Sequence, residues 1–190
     1  MQNKLETILT ECEAILHGHF LLTSGRHGDT YMQCAKVQQY PEHMSAVAKV
    51  VAEGFANENP DIVIAPAIGA IVFGYELARQ LNAKAIFTER VDGKMTLRRG
   101  FEIPKGAKVV AAEDVITTGG SIMEVMDIVR ENGGVLLGVG AIFDRTGGEI
   151  DLGARLVPAY SKKVISYTPE ECPLCKQGLE IVKPGSRKLV

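Results

Sequence analysis

Four apolar runs of strand length, at residues 61–65 (DIVIA), 85–88 (AIFT), 108–112 (KVVAA) and 135–143 (VLLGVGAIF), show little polar/apolar alternation. Strands read this way when both of their faces are buried, as in a parallel sheet with helices above and below it. Helical patterns lie between the runs. Pro41 suits the first turn of one helix, whose apolar face holds Met44, Val47, Val51 and Phe55. A second helix follows the turn PAIGA and runs through Leu81, and a third is expected at about residues 122–131, closed by Gly133-Gly134. Alternation at this spacing implies right-handed crossovers, so the fold class is α/β, a central, mostly parallel sheet flanked by helices. Such sheets bind ligands beyond the carboxyl ends of their strands, and each informative motif falls at one of those ends.

Upstream of this core, Leu5, Ile8, Leu9, Cys12, Ile15 and Leu16 recur at helical spacing and predict an amphipathic helix stopped by Gly18. Residues 20–34 read as two extended pieces around a Ser24-Gly25 turn. With 190 residues and no linker or repeat, one domain is expected. A formal net charge of -2 argues against a duplex nucleic-acid binder. No apolar run approaches the roughly 18 residues that span a bilayer, and the N-terminus lacks a signal-peptide core. Cys12, Cys34, Cys172 and Cys175 are too sparse for a disulfide framework, so a cytoplasmic location is expected.

The strongest signal is the stretch 109–121, VVAAEDVITTGGS. A buried strand delivers two adjacent carboxylates, Glu113 and Asp114, to the sheet edge. The turn Thr117-Thr118-Gly119-Gly120-Ser121 then opens a helix. Glycines let the backbone approach a phosphate, successive N–H groups wrap it, and the helix N-terminus adds its positive dipole end. Two carboxylates would repel a bare anion. They suit a ligand that carries a diol beside its phosphate, so the stretch reads as a sugar-phosphate site. Neither GxxxxGK[ST] nor GxGxxG is present.

These residues resemble the phosphoribosyl diphosphate signature of the type I phosphoribosyltransferases, and EDVITTGGS resembles its orotate-using branch. Members that use hypoxanthine or guanine generally have an aspartate where this chain has Thr117. The resemblance implies that Glu113, Asp114, Val115, Ile116, Thr117, Thr118, Gly119, Gly120 and Ser121 bind phosphoribosyl diphosphate. It extends to residues 20–31 as a hood over the base, with Phe20 against the ring and Ser24-Gly25 close to it. Many members have lysine where Thr23 stands. Residues 65–70 (APAIGA) are similar to the family's diphosphate loop, which often holds a non-proline cis peptide, expected here around Ala67-Ile68.

Residues 89–101 (ERVDGKMTLRRGF) match the family's mobile loop, implying that Arg90, Lys94, Arg98 and Arg99 close over the diphosphate, with Gly93 and Gly100 as hinges. This loop lacks the histidine of many members. Lys94 and Arg98 are the expected leaving-group contacts, and Lys94, Arg98 and Asp114 the expected catalytic residues. Arg145, after the strand 135–143, is similar to the arginine that reads the orotate carboxylate. An arginine can grip a carboxylate through two parallel hydrogen bonds. The implied reaction moves ribose 5-phosphate from phosphoribosyl diphosphate to orotate, with Mg2+ held mainly through ligand and water and no direct protein ligand. The resemblance also implies a homodimer, through a loop that crosses to the partner, and small-molecule substrates with neither nucleic acid nor membrane. Another base, or a non-catalytic ligand-binding regulator, stays open as an alternative. Read alone, residues 20–31 are a hairpin, 65–70 a strand-to-helix turn, 89–101 a solvated loop, and Arg145 a partner for Asp144.

The pair Cys172-Pro173-Leu174-Cys175 points weakly to metal. Structural zinc needs four ligands, and the sequence offers neither a second CxxC nor a suitably spaced histidine pair. A redox role would place the motif at a strand-to-helix junction. The tail cysteines therefore read as ordinary. His17, His19, His27 and His43 lack the spacing of a catalytic metal cage.

Overall fold

The computed structural model of the chain describes residues 2–22 and 25–183. Its first half runs α1 (Gln2–Glu11), β1 (Ile15–Leu21), β2 (His27–Met32), α2 (Ala35–Gln38), α3 (Pro41–Glu53), β3 (Ile62–Pro66) and α4 (Ile71–Leu81). The second half runs β4 (Lys84–Val91), β5 (Lys94–Leu97), β6 (Lys108–Ile116), α5 (Gly120–Glu131), β7 (Val135–Asp144), β8 (Leu156–Ser161), β9 (Ser166–Tyr167) and α6 (Pro173–Lys176). Six strands form the main sheet in the order β5-β4-β3-β6-β7-β8. Every pairing from β4 to β8 is parallel, and β5 closes one edge antiparallel to β4. A smaller antiparallel sheet, β1-β2-β9, forms the hood. This is the α/β architecture expected, with the small N-terminal sheet added.

The uninterrupted apolar character of β3 has a direct cause, since all of its residues are buried. Ile62 and Ile64 pack with Ile122, Val125, Met126 and Val129 of α5 on one face. Val63 and Ala65 pack with Val47 and Val51 of α3 and Phe73 and Leu77 of α4 on the other. In β6, Val109 and Ala111 join the first cluster, and Val110 and Ala112 the second. Each fully buried Val, Leu, Ile or Phe contributes about 1.5–3 kcal/mol relative to exposure. Two cores thus clamp the sheet, and parallel strands bring their carboxyl ends to one edge. Among the described residues, no helix is long and apolar enough to cross a membrane.

The structure departs from the sequence reading in three places. α1 ends at Glu11, not at Gly18, because Glu13 turns left-handed at φ 56° and Ile15 pairs with Met32 in the hood. The helical spacing of Ile15 and Leu16 was coincidental. Residues 89–97 are not irregular loop: β4 and β5 form a ribbon through Asp92 (φ 51°) and Gly93 (φ 81°). Asp-Gly with both residues left-handed is a strong hairpin turn, and Met95 and Leu97 pack against the α5-side core. The parallel strand β8 and the return of the tail to the hood had no counterpart in the sequence reading.

Candidate functional site

Three strand ends build the site. β6 carries Glu113 and Asp114 and passes into residues 117–119, where Gly119 caps α5 at φ 77°. Only glycine fits there, because a Cβ would stand 2.7 Å from Leu152 Cδ2 in a backbone conformation side chains avoid. α5 has no side-chain hydrogen bond at its cap, so its first-turn N–H groups are left for a ligand. A cavity of about 240 Å³ opens here, lined by Glu113, residues 115–122, Arg90 and Glu124.

β3 supplies the neighbouring turn. Its Ala67–Ile68 peptide is cis and non-proline, at the position the resemblance indicated. Ile68 stands exposed at the tip of this turn, and neither Ala67 nor Ile68 lines the cavity. Gly69 follows, and a Cβ on it would lie 2.5 Å from Asp114 Oδ2, so glycine lets the carboxylate sit against this loop. Gln38 Nε2 donates to Gly69 O at 2.7 Å and ties the loop to α2. Asp114 Oδ1 accepts the Val115 amide at 2.8 Å, and Glu113 Oε1 accepts the Asp114 amide at 3.1 Å. Burial, reinforced by the neighbouring Asp114 charge, pushes the Glu113 carboxyl up to about 8.

A second cavity of about 570 Å³ shares Thr117 and Thr118 with the first. Its other walls come from Leu22, Arg26 and Tyr31 of the hood, Arg145, Thr146 and Glu149 after β7, Lys163 and Val164 between β8 and β9, and Ser166 of β9. Arg145 is the informative residue. Its Nε is buried without a hydrogen-bond partner, and burial lowers its pKa from the ordinary arginine value. Asp144 does not pair with it. That carboxylate accepts bonds from the Thr146 amide (2.8 Å) and hydroxyl (2.6 Å), the Gly148 amide (2.7 Å) and the Ser161 hydroxyl (2.7 Å). Burial would raise the Asp144 pKa, but these bonds outweigh it and hold the group below the usual carboxylate value. Asp144 fixes the turn, and the guanidinium next to it is left for something else.

The ribbon's cations divide into two kinds. Arg90 lines the first cavity and pairs with Glu124 at 2.6 Å. Arg99 pairs with Glu89 at 2.8 Å and lies 5.7 Å over the Phe87 ring. Lys94 and Arg98 are exposed and take part in none of the ion pairs among the described residues. Phe20 is buried, 5.8 Å from the Tyr31 ring, and is not among the lining residues of the second cavity. Thr23 and Ser24 lie outside the described residues. Sequence reasoning missed Arg26, Tyr31, Lys163 and Ser166. Arg26 and Tyr31 flank the Gly25 turn already singled out, whereas nothing local marks Lys163 or Ser166. Arg26 Nε donates to Ser166 Oγ at 2.9 Å, joining the hood turn to β9.

Comparison with known proteins agrees with this geometry. The profile of the phosphoribosyl transferase domain matches residues 35–154, and the chain belongs to that family. It is 50% identical over 188 residues to the orotate phosphoribosyltransferase of Caldanaerobacter subterraneus, with 99% of each chain covered. It is 54% identical over 174 residues to that of Chlorobium phaeobacteroides, covering 92% of this chain and 90% of the relative. Among solved structures, orotate phosphoribosyltransferase from Aeropyrum pernix superposes with a TM-score of 0.72 at 26% identity, covering 84% of this chain and 94% of that one.

Proposed function

We propose that the two cavities are halves of one transfer site, in which ribose 5-phosphate passes from phosphoribosyl diphosphate to orotate, giving orotidine 5-phosphate and diphosphate. The chain is an orotate phosphoribosyltransferase, as its full-length relatives are. The observation that carries the site reading is the shared wall at Thr117 and Thr118. On one side lies an uncapped helix start, and on the other a buried arginine nitrogen with no partner. A nucleotide of an acidic base needs both, separated by a ribose.

In this reading residues 117–121 hold the 5-phosphate, with Val115 and Ile116 bringing the strand to it. Glu113 and Asp114 accept hydrogen bonds from the ribose hydroxyls. Arg145 grips the orotate carboxylate, and Arg26 and Tyr31 complete the base cavity in place of Phe20. The pyrimidine nitrogen attacks the anomeric carbon as the bond to diphosphate breaks on the opposite face. Positive charge then grows on the ribose and negative charge on the leaving group, so positioning and electrostatics do most of the work. Lys94 and Arg98 neutralise the diphosphate beside the Ala67-Ile68 turn, while Arg90 and Arg99 exchange their present carboxylate partners for it.

The adjacent acids Glu113 and Asp114 fit a neighbouring divalent cation chemically, since oxygen donors suit magnesium and its charge would offset their mutual repulsion. When bound through diphosphate and water, Mg2+ supplies further charge neutralisation. A homodimer belongs to the same reading, because exposed Lys94 and Arg98 suit a ribbon that reaches a partner's site. Ile68 and, on α4, Val72 and Tyr75 are also exposed apolar side chains that a partner could cover. A cytoplasmic location is supported by four free cysteines.

The test is ultraviolet measurement of base consumption with phosphoribosyl diphosphate and Mg2+, offering orotate, uracil, hypoxanthine and adenine in parallel. Magnesium-dependent loss of orotate alone is expected. Turnover of another base would overturn the reading of Arg145, and binding without turnover of any base would make the chain a regulator.

A further inference from the structure

The hood and the tail meet at a cluster that the transfer reaction does not use. His19 ends its stretch of β1 beside a register shift between His17 and Phe20, and such bulges re-aim side chains. His27 begins β2. Cys172 and Cys175 arrive from the other end of the sequence on a single turn, where Pro173 starts α6 and the Lys176 amide donates to Cys172 O at 3.3 Å. His19, His27 and Cys172 are buried, and Cys175 is exposed.

The separations are informative. His19 Nε2 lies 3.0 Å from His27 Nδ1, 3.5 Å from Cys172 Sγ and 3.6 Å from Cys175 Sγ, and His27 Nδ1 lies 3.2 Å from Cys175 Sγ. All four donor atoms fall within 4.8 Å of one another. A tetrahedron with zinc–nitrogen bonds of about 2.0–2.1 Å and zinc–sulfur bonds of about 2.3 Å puts neighbouring donors roughly 3.3–3.8 Å apart. Hydrogen bonding accounts for the cluster less well. His19 Nδ1 is 2.8 Å from Leu179 O, and since a carbonyl only accepts, Nδ1 carries the ring proton. Nε2, left with at most one hydrogen bond to make, has one imidazole nitrogen and two sulfurs converging on it. An orienting carbonyl on the second ring nitrogen is what metal-bound histidines commonly have.

We propose that His19 Nε2, His27 Nδ1, Cys172 Sγ and Cys175 Sγ form a structural zinc site that staples the C-terminal tail to the hood. Two thiol sulfurs and two imidazole nitrogens converging within 4.8 Å, with two of their separations (3.5 and 3.6 Å) inside the tetrahedral range, select zinc over the hard, oxygen-seeking magnesium. With four protein donors the site is closed, and its role is architectural. Backbone bonds already start the same junction: Val182 N donates to His19 O at 2.8 Å, and Leu21 N donates to Val182 O at 2.9 Å. The metal locks it, holding β1 and β2 where Arg26 and Tyr31 meet the base cavity.

The test uses the full chain, purified under reducing conditions from cells grown with zinc. Elemental analysis should find about one equivalent of zinc per chain, as a closed four-ligand site requires. Replacement by cobalt(II) should give the intense visible bands of tetrahedral thiolate coordination. Cys175→Ser, at the exposed ligand where folding is least at risk, should weaken zinc binding by more than about 100-fold, beyond the usual loss from an outer-shell change. Chelation should lower the melting temperature of the wild type, with recovery on adding zinc but not magnesium. Metal-free protein that binds neither zinc nor cobalt would overturn the proposal. So would zinc retained in a Cys172→Ser/Cys175→Ser double variant, or a Cys172–Cys175 disulfide in the reduced preparation. None of these readouts depends on orotate turnover.

Discussion

The phosphate cavity and the base cavity share Thr117 and Thr118, yet they are built from different materials. The first is mostly backbone: one contiguous turn, a left-handed Gly119 and an uncapped helix start, rooted in a strand whose residues 109–112 are fully buried. The second is side chain: Arg26 and Tyr31 from the hood, Arg145 from the end of β7, Lys163 from the β8–β9 connection and Ser166 from β9. In the proposed reading, sugar-phosphate recognition is tied to the fold itself, and the choice of base rests on a few replaceable groups. A scaffold of this kind can keep one donor substrate while changing its acceptor.

Lys94 and Arg98 line neither cavity, so in the proposed reading they act on the chemical step and not on holding either substrate. Lys94→Ala is expected to lower kcat by about 10²–10³-fold, the scale of losing one preorganised charge-stabilising group, with the KM for orotate little changed. Steady-state kinetics in both substrates checks this, and a pure KM effect would return Lys94 to binding.

Arg145→Ala should separate the two cavities most cleanly. Losing a charge-assisted bond of about 1.5–3 kcal/mol raises the KM for orotate roughly 10- to 150-fold and leaves that for phosphoribosyl diphosphate near wild type. Equal losses for both substrates would break the division of labour. The backbone side is tested by Gly119→Ala, which places a side chain at φ 77° and against Leu152. We expect a loss of about 1–3 kcal/mol in thermal stability and weaker donor binding. Thr118→Ala, which leaves the turn intact, should cost less on both measures.

The smallest effect concerns pH. Glu113 has its carboxyl raised to about 8 by burial and by Asp114, so the folded chain holds that proton more tightly than the unfolded one. Its contribution to stability is complete below the ordinary carboxylate range and is lost as pH rises through about 8. Glu113→Gln should therefore melt like the wild type near pH 5 and above it near pH 9. The reverse order would show that Glu113 is ionised in the folded protein.

The same contrast explains what could be read from the sequence. The turn at residues 117–121 and its carboxylates are contiguous, so their chemistry was legible before any coordinates. The parallel sheet was legible because β3, β6 and β7 are apolar on both faces. The ribbon was not, because the charges of Arg90, Lys94, Arg98 and Arg99 masked the Asp92-Gly93 turn. Nor was the full base cavity, which joins Arg26 to Ser166 across 140 positions. The zinc ligands were hidden for the same reason: His19 and Cys172 are 153 positions apart, and only the folded hood makes a pair of CxxC and histidines.

If the two cavities are one site joined at Thr117-Thr118, a crystal structure with orotidine 5-phosphate bound will show it. The phosphate should lie against the amides of residues 118–121, the ribose hydroxyls on Glu113 and Asp114, and the base carboxylate on Arg145. A nucleotide whose base lies away from Arg145, or whose phosphate lies outside the Gly119 turn, would contradict it.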